Sequence, residues 1–185
     1  WKHLFPPLKD ERAAMEDLRK DLAEVPVLAI DGTVTNTYDK LEAENLSRKD
    51  KDLIWHCLAL VREAYIKLEE EEGNPSVGSV GDGNRNGNGN GNGTNAGYQW
   101  NMNWKHTRAE LDQVLEAGRC LGLGPEECRD AMVASIFSDA IKNRSNFIIH
   151  NIHGAEAAAL VLSYFFDPEN PDEMRTVERI VVAVK

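Results

Sequence analysis

The sequence predicts an all-α fold, a bundle of helices. Apolar residues recur at intervals of three and four over most of the chain, for example over 11–24, 47–72 and 103–120, which is the spacing of one helix face. The alternation of apolar and polar residues that is typical of half-buried strands is nearly absent. Small residues, dense over 154–159, would let neighbouring helices approach closely.

The composition limits the size of the fold and its partners. A chain of 185 residues suits one domain with a real core and a small appended helical element. The net charge of -10 argues against nucleic acid and anionic membranes as partners, because binding to phosphate groups needs clustered Lys and Arg. The sequence has no apolar run of about 18 residues, so we expect no membrane-spanning helix.

The cysteines and the chain ends indicate a compartment and a boundary. Cys57, Cys120 and Cys128 are odd in number and have no CxxC spacing, so we expect buried, reduced thiols in the cytoplasm or a similar reducing compartment. No signal peptide is visible. The chain begins at Trp1 rather than Met and ends at Lys185 directly after an apolar run, so we expect a fragment of a longer protein.

Local signals place the helices along the chain. Asp10 is a predicted N-cap, Pro26 ends the first helix, and Gly124 and Pro125 separate two later ones. The predicted helices cover about 11–24, 38–46, 47–72, 103–120, 126–142, 147–166 and 172–184.

The composition also divides the chain into three parts. Residues 1–72 are a predicted N-terminal helical segment, and 98–185 are a helical domain that we expect to be truncated at its C-terminus. Between them, 73–97 is rich in Asn, Gly and Ser and is predicted to be a flexible linker or surface loop. The two helical parts either fold separately or form one fold with this loop as an insertion.

A short motif near residue 30 has two interpretations. The run from Val27 to Thr33 resembles the first motif of haloacid-dehalogenase-type phosphatases, an apolar strand ending in Asp-x-Asp-Gly-Thr. Ala29 stands where that family has its nucleophilic Asp, which must attack phosphorus. The helical sequence that follows also lacks alternating strands and helices. We therefore interpret Asp31 and Gly32 as a turn between helices.

Four polar residues lie inside the apolar helices of the C-terminal part: His106, Asp139, His150 and His153. Imidazole and carboxylate groups together are a ligand set for a divalent hydrolytic metal ion. His150 and His153 share one helix face. Helices of a bundle bring such distant positions together, so the sequence predicts a metal site here.

The order of these residues resembles the HD-domain metal-dependent phosphohydrolase superfamily, an all-α fold, over about 104–184. His106 matches the first helical histidine of that family, and Asp139 matches the aspartate of its His-Asp pair. His150, with Gly-Ala-Glu from position 154, resembles the His-x-x-x-Gly segment of several branches. His153 is an additional neighbouring histidine.

The resemblance implies a metal-dependent hydrolase. In that family such residues bind one or two divalent ions (Mn, Fe, Zn, Ni or Mg), which activate water against a phosphoester. The expected substrate is a small phosphorylated molecule or nucleotide. The implied catalytic residues are Asp139 and Lys142, with Lys142 or Arg144 contacting the phosphate.

The chain departs from the family pattern at Ser138, which occupies the position of the namesake histidine. A hydroxyl is a far poorer metal ligand than imidazole. The last metal aspartate of the family would lie beyond Lys185 or is absent. The alternative function is therefore a non-catalytic module for ligand sensing or protein interaction, with a homo-oligomer or a helical protein as its partner.

Overall fold

The computed structural model describes residues 2–28, 32–73, 96–141 and 149–185. Within these ranges the backbone forms helices and one two-stranded sheet, which confirms the predicted all-α class. A short 3-10 helix (Lys2–Leu4) precedes the first α-helix. The α-helices are α1 (Glu11–Glu24), α2 (Thr37–Ala43), α3 (Arg48–Gly73), α4 (Ala96–Leu121), α5 (Pro125–Ser138), α6 (His150–Leu162) and α7 (Pro171–Val184).

Side-chain caps define the starts of several helices. The carboxylate of Asp10 accepts a hydrogen bond of 3.0 Å from the backbone N–H of Ala13, which confirms Asp10 as the predicted N-cap of α1. Asn170 accepts in the same way from the backbone of Asp172 at 3.1 Å, at the start of α7. These contacts satisfy backbone donors that have no partner inside a helix.

The connection between α1 and α2 contains a small hairpin that the sequence did not predict. Strands β1 (Pro26–Leu28) and β2 (Val34–Asn36) are antiparallel, with Val27 opposite Thr35. Gly32, in the connection between them, has a positive φ of 82°, a conformation that glycine adopts without steric cost. Each strand has only three residues, which is too short for an alternating pattern to be visible in the sequence.

Helix α5 lies at the centre of the bundle and packs against α3, α4, α6 and α7. Apolar side chains therefore cover more than one of its faces, unlike those of a surface helix, which form a single stripe. Its fully buried residues include Met132, Val133, Ile136 and Phe137. The residues at its C-terminal end are consequently held by neighbours on several sides.

The N-terminal residues belong to the same core as the C-terminal helices. Phe5 is fully buried, and its ring centroid lies 6.4 Å from that of Phe137 in α5. The hydroxyl of Tyr164 donates to the backbone oxygen of Phe5 at 3.0 Å. One cluster of buried residues joins both parts of the chain. The three-part division of the sequence stays a prediction, and residues 74–95 of its linker lie outside the described residues.

Helices α5 and α6 both end earlier than the sequence predicts. The prediction for α5 runs to Lys142, whereas the helix ends at Ser138. The hydroxyl of Ser138 lies 2.8 Å from the backbone oxygen of Ser135, and the hydroxyl of Ser163 likewise lies 2.6 Å from that of Leu160 after α6. Such hydroxyl groups compete with the backbone for its hydrogen bonds, so the helices end beside them.

Two further expectations concern membranes and thiols. None of the helices in the described ranges has both the length and the apolar content that crossing a bilayer requires. The three cysteines are free thiols. Cys57 and Cys128 are buried as predicted, but Cys120 is exposed near the end of α4, so the expectation that all three are buried is wrong for Cys120.

Candidate metal site

Three helices bring titratable side chains together at the C-terminal end of α5. His106 and Glu110 lie one turn apart on α4, Asp139 directly follows α5, and His150 is the first residue of α6. The cluster formed by these four residues is called the His/Asp cluster below. Tyr65 of α3 completes its floor.

The carboxylate of Asp139 contacts both His106 and His150. Its Oδ2 lies 3.1 Å from Nε2 of His106, and its Oδ1 lies 3.0 Å from Nε2 of His150. The Asp139 side chain is only 7% exposed, whereas that of His106 is 50% exposed. An ionised carboxylate only accepts hydrogen bonds, so both imidazoles donate to it. The cluster thus has a buried carboxylate at its base and an imidazole that reaches solvent.

Glu110 is a member of the cluster that the sequence analysis missed. Its Oε1 lies 3.2 Å from Nε2 of His106, so the same imidazole nitrogen faces two carboxylates. The signal was present, because residues four apart on a helix share a face. The Ser138 hydroxyl lies 2.9 Å from Oε2 of Glu110. Its single proton serves either this carboxylate or the Ser135 backbone oxygen, so Ser138 helps to orient Glu110.

Gly154 allows α6 to reach the cluster. A Cβ atom at this position would overlap the backbone oxygen of Phe137, and it would lie 3.3 Å from Cγ1 of Val184. His150 is four residues earlier and therefore lies on the same face of α6. The close approach of α6 to the end of α5 at Gly154 thus places His150 against Asp139.

Tyr65 supports Asp139 from inside the core. Its hydroxyl donates to the backbone oxygen of Asp139 at 3.0 Å and lies 3.0 Å from Oγ1 of Thr107. Burial raises the pKa of Tyr65, and the nearby charges of Asp139 and Glu110 add to this effect. The hydroxyl therefore remains a protonated donor. It ties α3 to the residue that carries the cluster.

Replacing Tyr65 tests this support. We expect Tyr65→Phe to lower the free energy of unfolding by about 1–2 kcal/mol, because a buried carbonyl and the Thr107 hydroxyl lose their partner. Urea unfolding measures the change. Tyr164→Phe is the matched control, since its hydroxyl also donates to a backbone oxygen but its side chain is 42% exposed, and water can replace the lost contact. Equal losses in both variants would contradict the role of Tyr65.

The remaining predicted site residues are His153, Lys142 and Arg144. His153 is half-buried on α6 and lies outside the group of His106, Glu110 and Asp139 whose ligand atoms are close together. Lys142 and Arg144 lie outside the described residues, so their predicted contacts with phosphate stay predictions.

Three residues of the His/Asp cluster fit a divalent metal ion. One imidazole nitrogen and two carboxylate oxygens, from His106, Glu110 and Asp139, all lie within 4.8 Å of one another. Ligand atoms that surround an ion at about 2.0–2.2 Å are separated by about 3–4 Å, which is close to the separations described above. Imidazole nitrogen and carboxylate oxygen are donors that divalent ions such as Zn²⁺ accept in proteins.

Comparison with known protein families, with curated proteins and with solved structures finds no match to this chain. The fold class is therefore known from the structure itself. The relationship to the HD-domain superfamily stays a prediction from the residues that carry it.

Proposed function

We propose that this protein is a metal-dependent phosphohydrolase of the HD-domain type. The observation that supports the proposal most strongly is the convergence of His106, Glu110 and Asp139 from two helices onto one small volume. In this proposal Glu110 supplies the metal donor that the family takes from the histidine at the position of Ser138. Carboxylate oxygen is a good ligand for Mg, Mn and Zn.

The side chains of the cluster have separate roles in this proposal. His106, Glu110 and Asp139 hold the ion, while His150 binds the second oxygen of Asp139 and fixes the orientation of that carboxylate. An ion bound there supplies Lewis acidity and lowers the pKa of water. The half-exposed side of His106 is the side from which a small phosphorylated substrate enters, and Lys142 and Arg144 are the proposed phosphate contacts.

The alternative is a non-catalytic module that binds a ligand or a protein. His106 and His150 each contact the buried carboxylate of Asp139. These contacts favour the alternative, because they supply hydrogen bonds to the carboxylate without an ion. Free thiols at Cys57, Cys120 and Cys128 support a reducing compartment such as the cytoplasm for either function.

Metal content tests the proposal directly. The protein is incubated with Mn²⁺ or Zn²⁺, passed through a desalting column and subjected to elemental analysis. We expect about one retained ion per cluster in the wild type and loss of this ion in Glu110→Gln and Asp139→Asn. His150→Gln should weaken binding by about 10–100-fold, as is typical of residues that orient a ligand. Glu156→Gln, at an exposed position of the same helix as His150, is the control that keeps the ion.

Hydrolysis of p-nitrophenyl phosphate by the loaded protein separates the two functions. Turnover that Asp139→Asn abolishes supports the phosphohydrolase. A retained ion without turnover of phosphoesters favours the non-catalytic module. If the wild type retains no ion in excess metal, or if the Glu110 and Asp139 variants retain as much as the wild type, the proposed metal site is wrong.

A further inference from the structure

A cleft of about 1030 Å³ follows α4 beside the His/Asp cluster. Helix α4 forms its floor, and α2 and the start of β1 form its walls. Successive residues of a helix are about 100° apart, so Lys105 and Ala109 lie on a face next to the one that carries His106 and Glu110. Small or apolar side chains cover much of the cleft, among them Val25, Pro26, Val27, Ala109 and Ala117.

Both acidic side chains of the cleft face α2, although the buried Oδ1 of Asp112 and Oε1 of Glu116 accept no hydrogen bond from a described residue. Lys40 is almost fully buried, and its Nζ lies 2.9 Å from Oε1 of Glu116. The hydroxyl of Thr37 donates to Oδ2 of Asp112 at 3.0 Å. One cation of α2 thus faces two carboxylates of α4 where these helices meet. These contacts hold α2 against α4.

Two further cations of the cleft, Lys105 and Arg108, have no such partner in the part of the chain that the structure describes. Among the described residues, no carboxylate forms an ion pair within 4.0 Å of Lys105 or Arg108. In the described ranges, Arg108 donates to the backbone oxygen of Asp21 at 3.0 Å, and its buried Nε has no acceptor. Burial lowers the pKa of Arg108 although Asp21 and Asp112 oppose it. A partly desolvated guanidinium without a carboxylate partner is stabilised by an added anion.

We propose that this cleft binds a small amphipathic monoanion, a carboxylate on an aliphatic or aromatic body. The carboxylate pairs with Arg108 and Lys105, and the body lies against Val25–Val27 and the alanines of α4. Among the described residues, three cationic and two acidic side chains line the cleft, so one added negative charge balances them. The mixture of an apolar wall and a few fixed polar groups is typical of small-molecule sites. This inference does not depend on the proposed metal site.

Displacement of a fluorescent anion tests the proposal. The probe is 8-anilinonaphthalene-1-sulfonate, and the competitors are octanoate, octanol and octylammonium, which share one body and differ in charge. We expect octanoate to displace the probe at a concentration about tenfold or more below that of octanol, because a charge-assisted hydrogen bond is lost in the alcohol. Octylammonium should be the weakest competitor.

Variants at exposed positions assign the binding to this cleft. Lys105→Gln should weaken the binding of octanoate by about tenfold. Ala109→Trp should prevent the binding of both the probe and octanoate, because the larger side chain fills the cleft. Both positions are exposed, so the fold is expected to survive, and thermal unfolding checks it. Lys20→Gln, on exposed Lys20 of α1, removes the same charge elsewhere and should leave binding unchanged.

The same titration on Asp139→Asn separates this cleft from the metal site, because octanoate binding should persist when the metal is lost. The proposal is overturned if octanol competes as well as octanoate, or if Lys105→Gln and Ala109→Trp bind octanoate like the wild type.

Discussion

Gly154→Ala is expected to lower the free energy of unfolding by about 3 kcal/mol, because the new methyl group has no room. The added Cβ would overlap the backbone oxygen of Phe137 and press on Val184. A backbone oxygen at the end of a buried helix cannot turn aside as a flexible side chain does. Helix α6 must therefore move away from α5, and we expect His150 to separate from Asp139 as well. Chemical denaturation measures the loss of stability.

The matched control is Gly118→Ala in α4. There the added Cβ would lie 3.0 Å from Sγ of Cys128 and 3.8 Å from a side-chain atom of Leu123, so only side chains have to adjust. Alanine also favours the helix by about 1 kcal/mol relative to glycine, which offsets much of that adjustment. We expect a net change within about 1 kcal/mol. A Gly154→Ala variant as stable as Gly118→Ala would contradict the close approach of α6 to Phe137.

Arg129→Met is expected to destabilise the protein by about 3 kcal/mol. The side chain of Arg129 is only 10% exposed, and its guanidinium lies 2.9 Å from Oδ1 of Asp50 in α3 and 2.7 Å from Oδ1 of Asp130 in α5. Asp130 also pairs with Arg179 of α7 at 2.8 Å. Removing Arg129 leaves the carboxylate of Asp50 without its cationic partner at a largely buried site, which costs more than the pair itself contributes.

The effect of Arg129→Met should depend on pH. Partial burial raises the pKa of Asp50, but hydrogen bonds from Ser47 and Arg129 outweigh this effect and hold the pKa below its usual value. Asp50 has a lower pKa in the folded state than in the unfolded state, where it is about 3.9. At a pH above the unfolded-state pKa, this difference stabilises the folded protein fully. The stabilisation is lost as the pH falls through the folded-state pKa. The difference between wild type and variant should therefore shrink below about pH 4.

An exposed ion pair is the control for Arg129. Arg175 and Asp172 lie 3.1 Å apart, but their side chains are 68% and 86% exposed, so Arg175→Met should change stability by less than about 0.5 kcal/mol. A double-mutant cycle with Asp50→Asn measures the coupling between Arg129 and Asp50. If the two substitutions are additive, the pair does not account for the loss.

The helices could be predicted from the sequence because their signals are local. Asp10 caps α1 through the backbone of Ala13, and such a cap is readable from the residue type and its position. The end of α5 was not readable in this way. It depends on a hydroxyl of Ser138 that competes for backbone hydrogen bonds and on Tyr65, a residue of another helix, which binds the backbone of Asp139.

The site was predictable as a set of residue types but not as a geometry. His106, Asp139 and His150 are predictable as polar residues inside apolar helices, and in the structure Nε2 of each histidine lies within hydrogen-bond distance of Asp139. Glu110 lies four residues after His106, but its neighbours in sequence are mixed polar and apolar residues, so it does not stand out as a polar residue inside an apolar segment. The cleft beside α4 depends on how α2 packs on α4. Packing between two helices cannot be predicted from a local sequence pattern.

The contact between Tyr164 and Phe5 has a consequence for biosynthesis. These residues are 159 positions apart, and Phe5 also packs on Phe137. Contacts between residues distant in sequence form only after a large loss of chain entropy, so they slow folding. During translation Phe5 emerges before Phe137 and Tyr164, so neither contact can form until they follow. Until Phe137 has left the ribosome, the apolar ring of Phe5 lacks its contact in α5 and stays available to a chaperone.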